Sequence, residues 1–104
     1  MQRLCNSDEL EEGGSRGFAI GGGLLLVRRH GRVFAYRNRC PHRGIPLEWQ
    51  ADRFLADSAS LIQCATHGAL FLIESGACVA GPCAGKSLSA LPCQERDGAI
   101  WVEP

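Results

Sequence analysis

Apolar and polar positions along the chain group into short strand-like segments separated by turn residues. Such segments occupy residues 17–20, 24–29 and 32–37, with Gly21-Gly22-Gly23 and His30-Gly31 as the turns between them. The segment Arg32-Val33-Phe34-Ala35-Tyr36-Arg37 carries β-branched and aromatic residues suited to a pleated, partly buried surface. Further strands are expected at 60–63 and 69–74, the second ending in the tight turn Ser75-Gly76. Residues 91–96 and 99–103 predict a hairpin closed by Asp97-Gly98, a strong short-range hairpin signal. Near the N-terminus, Ser7 is placed to cap one short helical turn with Asp8 and Glu9 at its positive end, and Gly13-Gly14-Ser15 then breaks the chain. Residues 47–56 obey no single period, because Leu47, Trp49, Phe54 and Leu55 share no face, and predict irregular chain with a helical turn. Short strands at close intervals predict an all-β fold, a small antiparallel β-barrel or sandwich.

Composition narrows this picture. A length of 104 residues suits one domain, 1–104, with a real core. Thirteen glycines and five prolines favour a loop-rich β architecture over a helix bundle. Eleven basic residues balance eleven acidic ones, so no basic excess points to nucleic acid or an anionic membrane, and any docking surface must come from local patches. The first residues lack the apolar run of a signal peptide, and the longest aliphatic run, Leu24-Leu25-Leu26-Val27, is too short to span a bilayer. The expectation is a cytoplasmic protein without a membrane anchor. For six cysteines in that setting, metal binding is the better reading than disulfides.

The chemistry concentrates in two segments, Cys40-Pro41-His42 and Cys64-Ala65-Thr66-His67. Zinc sites more commonly group two cysteines and then two histidines. The order Cys-x-His … Cys-x-x-His fits a two-iron, two-sulfide cluster in which two thiolates hold one iron and two imidazoles the other. Soft thiolate sulfur suits iron–sulfur clusters, and neutral imidazole suits iron as well as zinc. Replacing two thiolates by imidazoles leaves the cluster less negative and easier to reduce.

The segments 38–47 (Asn-Arg-Cys-Pro-His-Arg-Gly-Ile-Pro-Leu) and 64–71 (Cys-Ala-Thr-His-Gly-Ala-Leu-Phe) strongly resemble the two cluster-binding boxes of Rieske-type ferredoxins. Gly76-Ala77-Cys78-Val79-Ala80-Gly81-Pro82 resembles the third, proline-containing loop that covers the cluster in that family, and the loop is placed at 80–85. The resemblance implies a subdomain of two Cys/His loops holding a [2Fe-2S] cluster, with Cys40 and Cys64 on the inner iron and His42 and His67 on the outer, solvent-near iron. It further implies that Arg43, Gly44, Gly68, Ala69 and Pro82 surround the cluster, with backbone N–H groups of the first four donating to its sulfurs. The function implied is a soluble one-electron carrier, not an enzyme, between a flavin reductase and an oxygenase or other redox enzyme.

Departures from the family pattern refine that expectation. The disulfide-forming cysteines of the high-potential branch are replaced here by Ile45 and Ala65, so the chain resembles the branch without the disulfide. An intrinsic oxygenase needs a second iron held by two histidines and a carboxylate, and only His30 remains beyond the boxes. Alternatives left standing are a small Rieske-like subunit of a multi-component reductase such as nitrite reductase, and a zinc-stabilised binding module. Cys5, Cys78, Cys83 and Cys93 are read as small buried thiols, with contact between Cys78 and Cys83 left open. Arg28, Arg29, Arg32, Arg37, Arg39 and Arg43 are either a solvated face or a basic docking rim for an acidic partner.

Overall fold

Leu24, Leu25, Leu26 and Val27 lie at the middle of the molecule because both faces of their strand are covered. The computed structural model describes residues 1–41, 44–47, 52–56, 60–65 and 68–104, and these four side chains are fully buried in it. Side chains alternate across a strand. Leu25 and Val27 therefore enter one apolar cluster, with Tyr36, Phe54, Ile62, Phe71, Ile73 and the thiols of Cys40, Cys64 and Cys83. Leu24 and Leu26 enter another, with Cys5, Leu10, Ala35, Ile100 and Val102.

The described residues form nine strands: β1 (Gln2–Asn6), β2 (Ser15–Phe18), β3 (Leu24–Arg29), β4 (Arg32–Arg37), β5 (Leu61–Gln63), β6 (Leu70–Leu72), β7 (Cys78–Ala80), β8 (Cys93–Arg96) and β9 (Ala99–Val102). They make three antiparallel sheets in the orders β1-β9-β8, β2-β3-β4 and β5-β6-β7. The all-β antiparallel expectation is borne out. The first two sheets join where β4 meets the chain before β8: Arg37 N–H donates to Ser89 O (2.9 Å) and Leu91 N–H to Ala35 O (2.9 Å).

β3 and β4 have the expected bounds, and their turn is the I′ type, with φ of 54° at His30 and 76° at Gly31. The Glu12 carboxylate accepts both N–H groups of that turn, from His30 (2.6 Å) and Gly31 (2.8 Å), and these bonds hold its pKa below the usual carboxylate value. Asp97 and Gly98 close the β8–β9 hairpin in the same way, at φ 52° and 72°.

Five expectations need correction, the first being β7, a strand at Cys78–Ala80 where the sequence predicts only turn and loop. β1 was not anticipated; its register slips between Arg3 and Cys5, which breaks the period-2 pattern. β2 starts two residues earlier than expected, at Ser15. The short turn at Ser7–Glu9 is preceded by Asn6, whose N–H donates to the Glu9 carboxylate (2.6 Å), so Ser7 opens the turn and does not cap it. Within 47–56, residues 54–56 run along β5, with Gln63 N–H donating to Phe54 O and Ala56 N–H to Leu61 O, both at 2.9 Å.

Two polar contacts carry testable energies. The Tyr36 hydroxyl donates to the Ile73 carbonyl inside the first cluster, and burial pushes its pKa up to about 12. Tyr36→Phe strands that carbonyl in an apolar setting and is expected to cost about 1–2 kcal/mol in urea denaturation. On β3, Arg28 grips both carboxylate oxygens of Glu95 on β8 (2.6 and 3.0 Å) and donates to Leu10 O (2.6 Å) and Ser7 O (3.1 Å). The Arg28 bonds hold the Glu95 carboxyl below its ordinary value of 4.5. A carboxyl depressed in the folded state adds stability above its unfolded pKa and loses it as pH falls through the folded value. Stability should therefore decline as pH drops below about 4.5, and E95Q should flatten that part of the acid limb in thermal melts.

Candidate metal centre

The two Cys/His loops close by the same pair of backbone hydrogen bonds. In the first loop, which leaves β4, Cys40 N–H donates to Ile45 O (2.7 Å) and Gly44 N–H donates back to Cys40 O (2.6 Å). In the second, between β5 and β6, Cys64 N–H donates to Ala69 O (2.9 Å) and Gly68 N–H to Cys64 O (2.8 Å). Gly44 and Gly68 occupy equivalent places at φ 70° and 69°, a left-handed conformation that favours glycine. The Ala65 N–H donates to Leu47 O (2.8 Å) and ties one loop to the other.

Both cysteines are sealed from water, Cys40 at 2% exposure and Cys64 at 1%, within the same apolar cluster. His42, Arg43 and His67 lie outside the described residues. Their neighbours Gly44, Gly68 and Ala69 take part in the backbone bonds that close the two loops. The Gly44 and Gly68 N–H groups, however, donate to the cysteine carbonyls, whereas sulfur was the expected acceptor.

The third loop reaches the site in an unexpected manner. Pro82 is exposed, and the residue turned inward is Cys83, which is fully buried. Its Sγ lies 3.7 Å from Cys40 Sγ. Cys78, considered as a partner for Cys83, donates its thiol to Ala80 O (3.2 Å). None of the six cysteines is in a disulfide. At Gly81, φ is 93° and a β-carbon would stand 2.8 Å from Ala69 Cα, so the third loop presses directly on the second box. The reading of Cys83 as a small buried thiol holds, but its approach to Cys40 was not anticipated; its place next to Pro82 in the covering loop was the available signal.

The arginines divide. Arg28 holds Glu95, Arg29 pairs with Glu74 (3.4 Å) and Arg32 stacks over the Phe34 ring (5.5 Å), all toward the His30-Gly31 turn. Arg37 and Arg39 instead line an open recess of about 590 Å³ beside Cys40, together with Pro41, Gly44, Ser87 and Ser89. Among the described residues, the single basic rim considered from sequence is thus two separate groups, and Arg43 lies outside those residues.

Two buried thiols at the start of twin loops, each followed by a histidine in sequence, form a soft donor set that fits an iron–sulfur cluster. Residues 1–95 match the family model of the Rieske [2Fe-2S] domain. The chain belongs to the Rieske family. Among Rieske proteins, it is similar to the 3-phenylpropionate/cinnamic acid dioxygenase ferredoxin subunit of Photorhabdus laumondii. The two are 28% identical over 99 residues, covering 95% of this chain and 90% of that one. Its fold is similar to the ferredoxin of carbazole 1,9a-dioxygenase from Nocardioides aromaticivorans IC177, with TM-score 0.80 and 26% identity over 98% of this chain and 95% of that one. It also resembles part of a longer chain in the reduced complex between oxygenase and ferredoxin of carbazole 1,9a-dioxygenase, with TM-score 0.83 and 25% identity over 96% of this chain and 27% of that one. The cofactor of this Rieske protein is a [2Fe-2S] cluster. No helix among the described residues is long and apolar enough to cross a membrane.

Proposed function

We propose that this protein is the one-electron carrier of a multi-component oxygenase, with Cys40 and Cys64 holding one iron and His42 and His67 the other. The twin closure of the two loops around buried Cys40 and Cys64 carries this reading. When bound, a [2Fe-2S] cluster takes up one electron and releases it again. The chain's own residues supply the setting. Gly44 and Gly68 let each loop turn back on its cysteine, Ala65 locks the tips together, and the 80–85 loop with Pro82 at its surface shields the thiols from water. Arg43 and Ala69 complete the surroundings of the cluster.

The electron donor is a flavin reductase and the acceptor an oxygenase component, a reading supported by the dioxygenase ferredoxin subunit that aligns over nearly the whole chain. We place the carrier in the cytoplasm, supported by six cysteines without a disulfide. Optical and paramagnetic resonance spectra of anaerobically purified protein, before and after dithionite, test the reading. The expected result is a reducible two-iron cluster with mixed nitrogen and sulfur ligation. Protein holding zinc alone, or iron and sulfide without that signal, would overturn it.

A further inference from the structure

We propose that Cys83 is a tuning residue for the electron carrier, its thiol donating a hydrogen bond to the Cys40 sulfur and making the cluster easier to reduce. The inference rests on the reading of Cys40 as a cluster ligand. The two sulfurs are 3.7 Å apart, and by geometry alone either could be the donor. A ligand cysteine is a thiolate and has only lone pairs to offer. The proton of the pair then belongs to Cys83, and the direction of the bond is decided.

The surroundings hold the donor in place. Cys83 is fully buried, at 0% exposure. Its carbonyl accepts from Lys86 N–H (2.8 Å), and Lys86 O accepts from Cys78 N–H (2.9 Å), which fastens the far end of the loop to the start of β7. On the near side Gly81 abuts Ala69 of the second box. The loop therefore touches both boxes, one through Gly81 and the other through the Cys83 sulfur. Reduction adds negative charge that spreads onto the ligand sulfurs, and a donor aimed at one of them stabilises the reduced form more than the oxidised form.

Three variants separate this role from space filling. C83S keeps a donor, while C83V and C83A remove it, valine filling the volume that alanine leaves empty. Iron and sulfide content and the spectrum of the wild type come first, because a wild type without a reducible cluster overturns the carrier reading itself. With the cluster present, equilibration against a redox dye should show C83V and C83A shifted about tenfold toward the oxidised form, or about 59 mV for one electron. C83S should recover most of the shift. A C83V protein that keeps the wild-type potential, or three variants within twofold of it, overturns the proposal while leaving the carrier reading intact. If neither apolar variant retains iron, Raman spectra of wild type and C83S decide: D2O should move the iron–thiolate bands in both, and unmoved bands in the wild type overturn the proposal.

Discussion

Cys64→Ser should purify with its iron and acid-labile sulfide reduced more than tenfold and with no reducible two-iron signal. Cys64 is 1% exposed, so its replacement puts a hydroxyl where the chain offers an apolar cluster and a metal centre needs a soft anionic donor. A serine hydroxyl is a harder donor and resists ionisation near neutral pH, so it replaces the thiolate poorly. The buried hydroxyl also has to find a partner, at a further cost of about 1–3 kcal/mol in the metal-free chain. Cys93→Ser is the matched control. Cys93 lies in β8, packed against the other cluster, and burial pushes its thiol up to about 11. That variant should keep its full iron and sulfide. Equal retention by both variants would contradict the assignment of Cys64.

The second large effect is expected at Gly81. A β-carbon there meets the main chain of Ala69 at 2.8 Å, and the residue has φ 93°. Backbone strain costs about 1–3 kcal/mol and overpacking a similar amount, so Gly81→Ala should destabilise the protein by about 3 kcal/mol in denaturant titration. It should also speed the loss of iron to a chelator, because the loop has to lift from the second box. Gly85→Ala, in the same loop at φ 90° but with nothing within 4 Å, isolates the strain. Its cost should be about 1–2 kcal/mol. Similar losses in the two variants would mean that the contact with Ala69 is not tight.

The readable parts of the fold are those where local pattern and final pairing agree. β3, β4 and the β8–β9 hairpin combine short runs rich in apolar, β-branched and aromatic residues with two-residue turns that demand positive φ, and in each case both signals are local in sequence. β7 was missed because it is three residues long, two of them exposed, and is defined by its pairing with β6. β1 was hidden by its bulge and by a partner, β9, at the other end of the chain. The site divides in the same way. Cys40 and Cys64 stand out because each has a histidine two or three places on. Cys83 has no such neighbour, and its approach to Cys40 spans 43 residues and depends on the covering loop folding back. Local motifs report ligands well; what leans on a ligand from afar is a property of the tertiary fold.

Because β3 contributes alternate side chains to both apolar clusters, neither cluster has a wall of its own on that side. Opening either one exposes the back of the other, which makes the strand the keystone of a single cooperative unit. Its amides should be the slowest in the chain to exchange with deuterium, opening only through global unfolding. The twin loops would then sit on a base that stays closed whenever the molecule is folded at all, so a docking partner that moves their tips leaves the seat of the two cysteines in place.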